Sequence, residues 1–248
     1  MSIYDLLPEN KKEQPQMIGV AVAKVTNNKD PDKLGRVKCK FIAKNSEDET
    51  DWIRIASFMG GKERGAFFLP EVEDEVLIAF AGGDISKPYV IGSLWNKKDK
   101  PPETNKDGKN AIKKIKTKGG SEIIFNDTDK KEKITLSTPS ERKIDLDDGN
   151  KSTKITDKGD KNIIKIDSNA GMISIEGQKK LSFKAGGCKI IMDGTANSIT
   201  IESSTTLKLK AQQINIEAGG SLAIKSNGML DIKSSAVCNL KGSIVKIN

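Results

Sequence analysis

The 248-residue chain contains no histidine. That removes the side chain most often used as a general base near neutral pH and the most frequent metal ligand. There are three cysteines, Cys39, Cys188 and Cys238, an odd number with no close pair. They make neither a disulfide framework nor a zinc-ligand spacing. Each shares the parity of apolar neighbours, Cys39 with Val37 and Phe41, Cys188 with Ile190 and Met192, Cys238 with Leu240. All three therefore read as small buried apolar residues. No apolar run is long enough for a transmembrane helix. The N-terminal MSIYDLLPENKKEQPQ lacks the basic start and apolar stretch of a signal peptide, so synthesis in the cytoplasm is expected. No glycine-rich phosphate loop occurs. DLDDGN (145–150) carries its glycine one position too early for an EF-hand and lacks the acidic twelfth ligand, which leaves it as a turn. These absences point away from an enzyme: no catalytic residue, cofactor site or metal site is expected.

What is present is charge, unevenly placed. Residues 1–100 carry 16 Lys/Arg and 16 Asp/Glu, whereas residues 101–248 carry 26 against 18, the whole of the net +8. In the second part lysines alternate with apolar residues, as in Leu207-Lys208-Leu209-Lys210, and so belong to the solvent face of strands.

The chain has two halves, and neither shows helical periodicity. Residues 17–95 read as a compact β domain. Candidate strands at 17–26, 35–42, 51–56, 75–81 and 89–94 are rich in β-branched residues and divided by turn signals such as Asn27-Asn28, Asp30-Pro31 and Gly82-Gly83-Asp84. Five strands in that length suit a small barrel, of which the OB-fold is the commonest five-stranded form. Trp52 and Phe68 are candidates to fill it. Gly35, Gly83 and Gly92 fit turns or strand entries, Pro70 the entry to a turn, and Pro88 a loop before the last strand. Residues 96–120, with Pro101-Pro102 and few apolar residues, read as a linker or transition.

Residues 121–248 are repetitive. Apolar pairs recur with one residue between their members, 9–11 residues apart at first and then 7–8. The later pairs are Ile199/Ile201, Leu207/Leu209, Ile214/Ile216, Leu222/Ile224, Leu230/Ile232, Cys238/Leu240 and Val245/Ile247. A short fixed period means a solenoid or fibre. Burying one such side chain yields about 1.5–3 kcal/mol, while ordering each residue of a unit costs about 1–2 kcal/mol in backbone entropy. One unit cannot stand alone. The units must close around a shared axis, within one chain as a three-sided β-helix or among three intertwined chains, and the period leaves both open.

Four stretches of the first half, LGRVKCKF (34–41), TDWIRIAS (50–57), RGAFFLPEVEDEVLIAF (64–80) and GGDISKPYVIGSLWN (82–96), resemble in order and spacing the OB domain of contractile-injection spike proteins. These are the VgrG proteins of type VI secretion and the phage baseplate assembly protein V, or tail-spike, family. GGSEIIFNDTDKKEKITLSTPS (119–140) is similar to the segment that begins their needle.

The resemblance implies an all-β homotrimer: a five-stranded OB collar (17–95), then an intertwined triple-stranded β-helix that serves as a membrane-piercing needle. The apolar pairs above would meet on its axis. It also implies a non-enzymatic part of a phage tail, tailocin or type VI-like particle. Only residues 1–16 precede the barrel, so the hub is expected to be a separate polypeptide, contacted there or through the collar. Residues 96–120 leave no room for a lysozyme domain. A PAAR-like tip protein is expected over the C-terminal end, and the target membrane is met on injection. Two other readings remain open. An OB-fold nucleic-acid-binding protein is disfavoured by the neutral barrel half and only 11 aromatic residues. A single-chain β-helix adhesin or enzyme would be monomeric.

Overall fold

The computed structural model describes residues 19–43 and 48–247. The 1–16 extension and its expected hub contact lie outside the described residues. Two compact units make up the chain, Met1–Glu176 and Gly177–Asn248. The one helical element among the described residues is a single 3-10 turn, Ala81–Gly83.

The first unit starts with β1 (Val20–Asn27), β2 (Lys38–Phe41), β3 (Arg54–Ile55), a two-residue hairpin of β4 (Gly60–Gly61) and β5 (Arg64–Gly65), β6 (Glu75–Phe80) and β7 (Pro88–Leu94). Five of these form one sheet in the order β2-β1-β6-β7-β3. Its pairs are antiparallel except β3 with β7, which run parallel. An antiparallel bridge between Val37 and Ile53 joins the two edges, and the sheet closes into a barrel. Alternation explains the inside. Val76, Ile78 and Phe80 of β6 turn inward and meet Ala23, Val25, Val37, Cys39, Ile53 and Val90.

Trp52 and Phe68, expected as barrel filling, are not in this core. Ile53 takes the inward parity, which turns Trp52 outward to half-burial beneath the Lys38 ammonium, 5.7 Å from its ring. Phe68 is exposed on the segment after β5. The barrel interior takes the ring of Phe80 and is otherwise filled by Ala, Val and Ile side chains and Cys39.

Residues 96–120 are not wholly a linker. They include β8 (Ile112–Lys116), which opens a seven-stranded sheet with β9 (Glu122–Asn126), β10 (Lys133–Ser137), β11 (Lys143–Asp147), β12 (Ser152–Thr156), β13 (Asn162–Asp167) and β14 (Met172–Gly177). Each strand lies beside its neighbour in sequence. The turns are tight, with left-handed residues such as Lys130, Glu141 and Lys151. In the second unit β15 (Lys180–Ala185), β16 (Cys188–Asp193) and β17 (Ser198–Glu202) form a three-stranded antiparallel sheet. Residues 203–247 contain no strand. The repeats therefore fall into two kinds. As far as Glu202 they are hairpin strands bonded within the chain, and after it they are extended segments with no such bonds.

Candidate functional site

The meander sheet has two unlike faces. In the registered pairs, Ile115, Ile123, Leu136, Ile144, Ile155 and Ile164 stand opposite one another from strand to strand and form one column. Phe125, Ile134, Leu146, Thr153 and Ile166 form a second beside it. The apolar face is thus two side chains wide, which is the pairing visible in the sequence. Most of these side chains are only half covered, with Ile123 at 36 % and Ile164 at 46 % exposure. A row of this length is far more than single exposed apolar residues scattered on a surface.

The opposite face is ionic. Lys133 reaches Asp145 at 3.0 Å and Asp147 at 3.7 Å, and the Thr135 hydroxyl donates to Asp145 at 2.6 Å. Lys165 reaches Asp167 at 2.8 Å. Asp147 is held below the usual carboxylate range by the side chain and backbone N–H of Asn150, with Lys133 adding to the effect. Asp167 is lowered chiefly by Lys165 and then by the Ala170 N–H. Among the described residues this face is paired within itself, whereas the apolar face stays largely half exposed.

The second unit repeats the arrangement. Phe183, Ile190 and Ile201 align in one column, and Leu181, Met192 and Ile199 in the other. Behind them Lys180 reaches Asp193 at 2.6 Å and Lys189 reaches Glu202 at 2.9 Å. Cys188 lies on this sheet, exposed, with its sulfur 3.5 Å from the Ser203 hydroxyl.

Beyond Glu202 the predicted axis residues Leu207, Leu209, Ile214, Ile216, Leu222, Ile224, Leu230, Ile232, Leu240, Val245 and Ile247 are all exposed, as is Cys238. Ile247 reaches 88 %. Among the described residues, 203–247 show no backbone-to-backbone hydrogen bond within the chain. Of the three cysteines read as buried, only Cys39 is covered by its own chain, where burial pushes its thiol up to about 11.

In the barrel, Gly35 has φ +69°, and an added Cβ would stand 3.4 Å from the Phe67 ring. Gly83 also has positive φ, at +77°. Pro70 is buried and its carbonyl accepts from the Asn28 amide at 3.0 Å. Pro88 opens β7 opposite Phe80, and Gly92 faces Leu77 beside a register shift.

One organising residue was missed by sequence reasoning. The Asp30 carboxylate accepts the backbone N–H groups of Asp32, Leu34 and Arg36, and Arg36 Nε and Nη2 at 2.9 and 2.7 Å. Its carboxyl is held well below the usual range, first by the Arg36 guanidinium. The Asp-Pro dipeptide was the available signal, but it marks a turn and not the partner six residues on. A second link, Lys118 to Glu71 at 2.9 Å, ties the first hairpin of the meander to the turn before β6.

Trp52 and Tyr89 lie on the outside of the barrel. The Arg54 guanidinium lies 4.8 Å from the Tyr89 ring, as Lys38 covers Trp52, so each ring already has a cation of its own over it. That weakens their use as a stacking platform for bases. Among the described residues there is no group of three or more His, Cys, Asp or Glu able to hold a metal ion.

Residues 21–95 match the family described as the type VI secretion system/phage-baseplate injector OB domain. The chain is also similar to spike protein VgrG5 of Pseudomonas aeruginosa, 32 % identical over 103 residues, which are 38 % of this chain and 13 % of that protein. It is similar to spike protein VgrG1b of the same organism, 29 % identical over 134 residues, 49 % of this chain and 18 % of the relative. The actin cross-linking toxin VgrG1 of Vibrio cholerae is 27 % identical over 135 residues, 50 % of this chain and 12 % of the toxin. The chain thus spans less than a fifth of the length of these curated relatives.

Proposed function

We propose that this chain, whose residues 21–95 match the injector OB domain and which is similar to VgrG spike proteins, is the central spike of a contractile injection particle and works as a homotrimer. The observation that carries this reading is the unpartnered state of residues 203–247. Their backbone groups make no bonds to one another and their apolar pairs face outward. An extended segment of this kind gains nothing to offset its ordering cost while alone. Three copies wound about one axis supply both needs: each strand bonds to strands of the other two chains, and each apolar pair meets its counterparts.

The meander sheets fit the same scheme. Three apolar faces, each seven strands and roughly 30 Å long at the usual strand spacing, close a triangular prism with the ionic faces outside. The role is mechanical. A rod whose backbone is bonded throughout transmits an axial push, and needs neither catalytic residues nor a cofactor. The OB barrels form the collar that docks on a hub, and the particle carries the rod to the target envelope.

Light scattering of the purified protein tests the assembly. The expected mass is about three times the 27.0 kDa of the chain; a folded monomer refutes the reading. Particles assembled with a chain ending at Gly120 should retain the collar and fail to breach target cells. Normal killing or delivery by such particles would remove the needle from the mechanism.

A further inference from the structure

The residue that follows each apolar pair faces away from the pair, and its charge changes sign along the chain. In the hairpin sheets it is neutral at Asn126, Ser137 and Thr156, basic at Lys184 and acidic at Glu176, and at four further places it is again an acid: Asp147, Asp167, Asp193 and Glu202. Each of these last four has a lysine of its own chain within 4 Å, namely Lys133, Lys165, Lys180 and Lys189. After Glu202 the same position becomes lysine, at Lys210, Lys225, Lys233 and Lys241, with Glu217 and Asn248 the exceptions.

The local balance moves with it. Residues 112–202 hold 18 Lys/Arg against 14 Asp/Glu, and residues 203–248 hold 6 against 2. Among the described residues only Lys233 of those six makes an ion pair, with Asp231 at 2.9 Å. Stoichiometry extends this to any assembly of identical chains. With three cations per anion, two-thirds of these lysines have no carboxylate of the segment to pair with, however the chains are wound. Like charges repeated at strand spacing repel one another and weaken the rod, so the arrangement asks for an external anion.

We propose that residues 203–247 are a docking surface for the anionic headgroups of a lipid bilayer. The proposal rests on the spike reading and deepens it, by assigning contact with the lipid headgroups to this segment and not to the hairpin sheets. The chemistry favours a lipid surface over nucleic acid. The segment contains no aromatic residue on which a base could stack and no arginine to grip one phosphate with two parallel hydrogen bonds. Its cations are all lysines, point charges spread at intervals of about one repeat, which suits a field of headgroups and not a single bound ion.

The test is co-sedimentation of the full chain with vesicles of pure phosphatidylcholine, or of phosphatidylcholine with a quarter phosphatidylglycerol. The wild type should partition onto the anionic vesicles about tenfold or more above the neutral ones, and lose that preference as NaCl is raised from about 50 to about 200 mM. The quadruple variant K210Q/K225Q/K233Q/K241Q should lose it at low salt. The same four changes to arginine should retain it, and K154Q/K165Q/K180Q in the hairpin sheets should leave it unchanged. Equal partition onto both vesicle types overturns the proposal. So does an unaltered quadruple glutamine variant, or binding to acidic polypeptide such as polyglutamate without binding to phosphatidylglycerol. Light scattering on the same samples separates the two readings: a monomer that still prefers anionic vesicles refutes the trimeric spike and leaves the lipid surface standing, whereas a trimer indifferent to lipid charge does the reverse.

Discussion

Leu136 on β10 stands directly opposite Ile144 on β11, and each side chain remains 40 % exposed. Cross-strand apolar neighbours shield each other laterally, but only a third body can cover the pair from above. Across β8–β13 the same opposition of apolar residues repeats from strand to strand.

The tail offers the sharpest contrast between neighbours. Ile224 belongs to an apolar pair, and Ala223 lies between its members on the other parity. Ile224→Asp should abolish the soluble trimer, because it brings three carboxylates together in a dry interior at several kcal/mol each. Ala223→Asp, facing water, should leave the mass by light scattering unchanged. Equal effects at both positions would show the parity to be reversed.

The barrel closes upon itself, so its stability should not depend on the needle. A chain ending at residue 111 should unfold cooperatively in urea. Ile78→Ala, at a fully buried position, should lower its stability by about 2–5 kcal/mol. A fragment that melts without cooperativity would show that the barrel needs the sheets.

Asp30 sets an acid limb on that stability. Its folded pKa lies below the ordinary 3.8, so its contribution is complete above the unfolded value and is lost as pH falls through the folded one. Acid titration of the barrel fragment should show Asp30→Asn less stable than the wild type at pH 6, with the difference shrinking below about pH 4. Arg36→Lys should reproduce part of the loss, since lysine cannot make the paired contact. A difference that stays constant with pH would separate the loop from Asp30 ionisation.

Backbone geometry makes two opposed predictions. Glu141 adopts φ +60° in the turn between β10 and β11, so Glu141→Gly should be neutral or stabilise by up to about 1 kcal/mol. Gly65 has φ +149°, and a Cβ there would stand 2.6 Å from the Met59 carbonyl oxygen. Gly65→Ala should therefore destabilise the loop that carries Phe67 and Phe68. Thermal melts of both variants read the two signs.

Sequence alone determined the all-β class, the five barrel strands and the two-residue width of the repeats. Alternation, β-branched composition and turn residues are local signals, and each strand carries its own. Only the tertiary structure decided which side chains fill the barrel. Trp52 and Ile53 are adjacent and both apolar, and closure through the Val37–Ile53 bridge turns one inward and the other out. The partnership of Asp30 with Arg36 was likewise invisible, because it depends on how a loop folds back across six residues. The change at Glu202 from strands bonded within the chain to segments that, among the described residues, have no backbone-to-backbone bonds of their own was half legible, as a shortening of the repeat. A period records how often an apolar pair returns; it does not record which chain supplies the neighbouring strand, because the same hydrogen bonds and the same burial can be made within one molecule or between three.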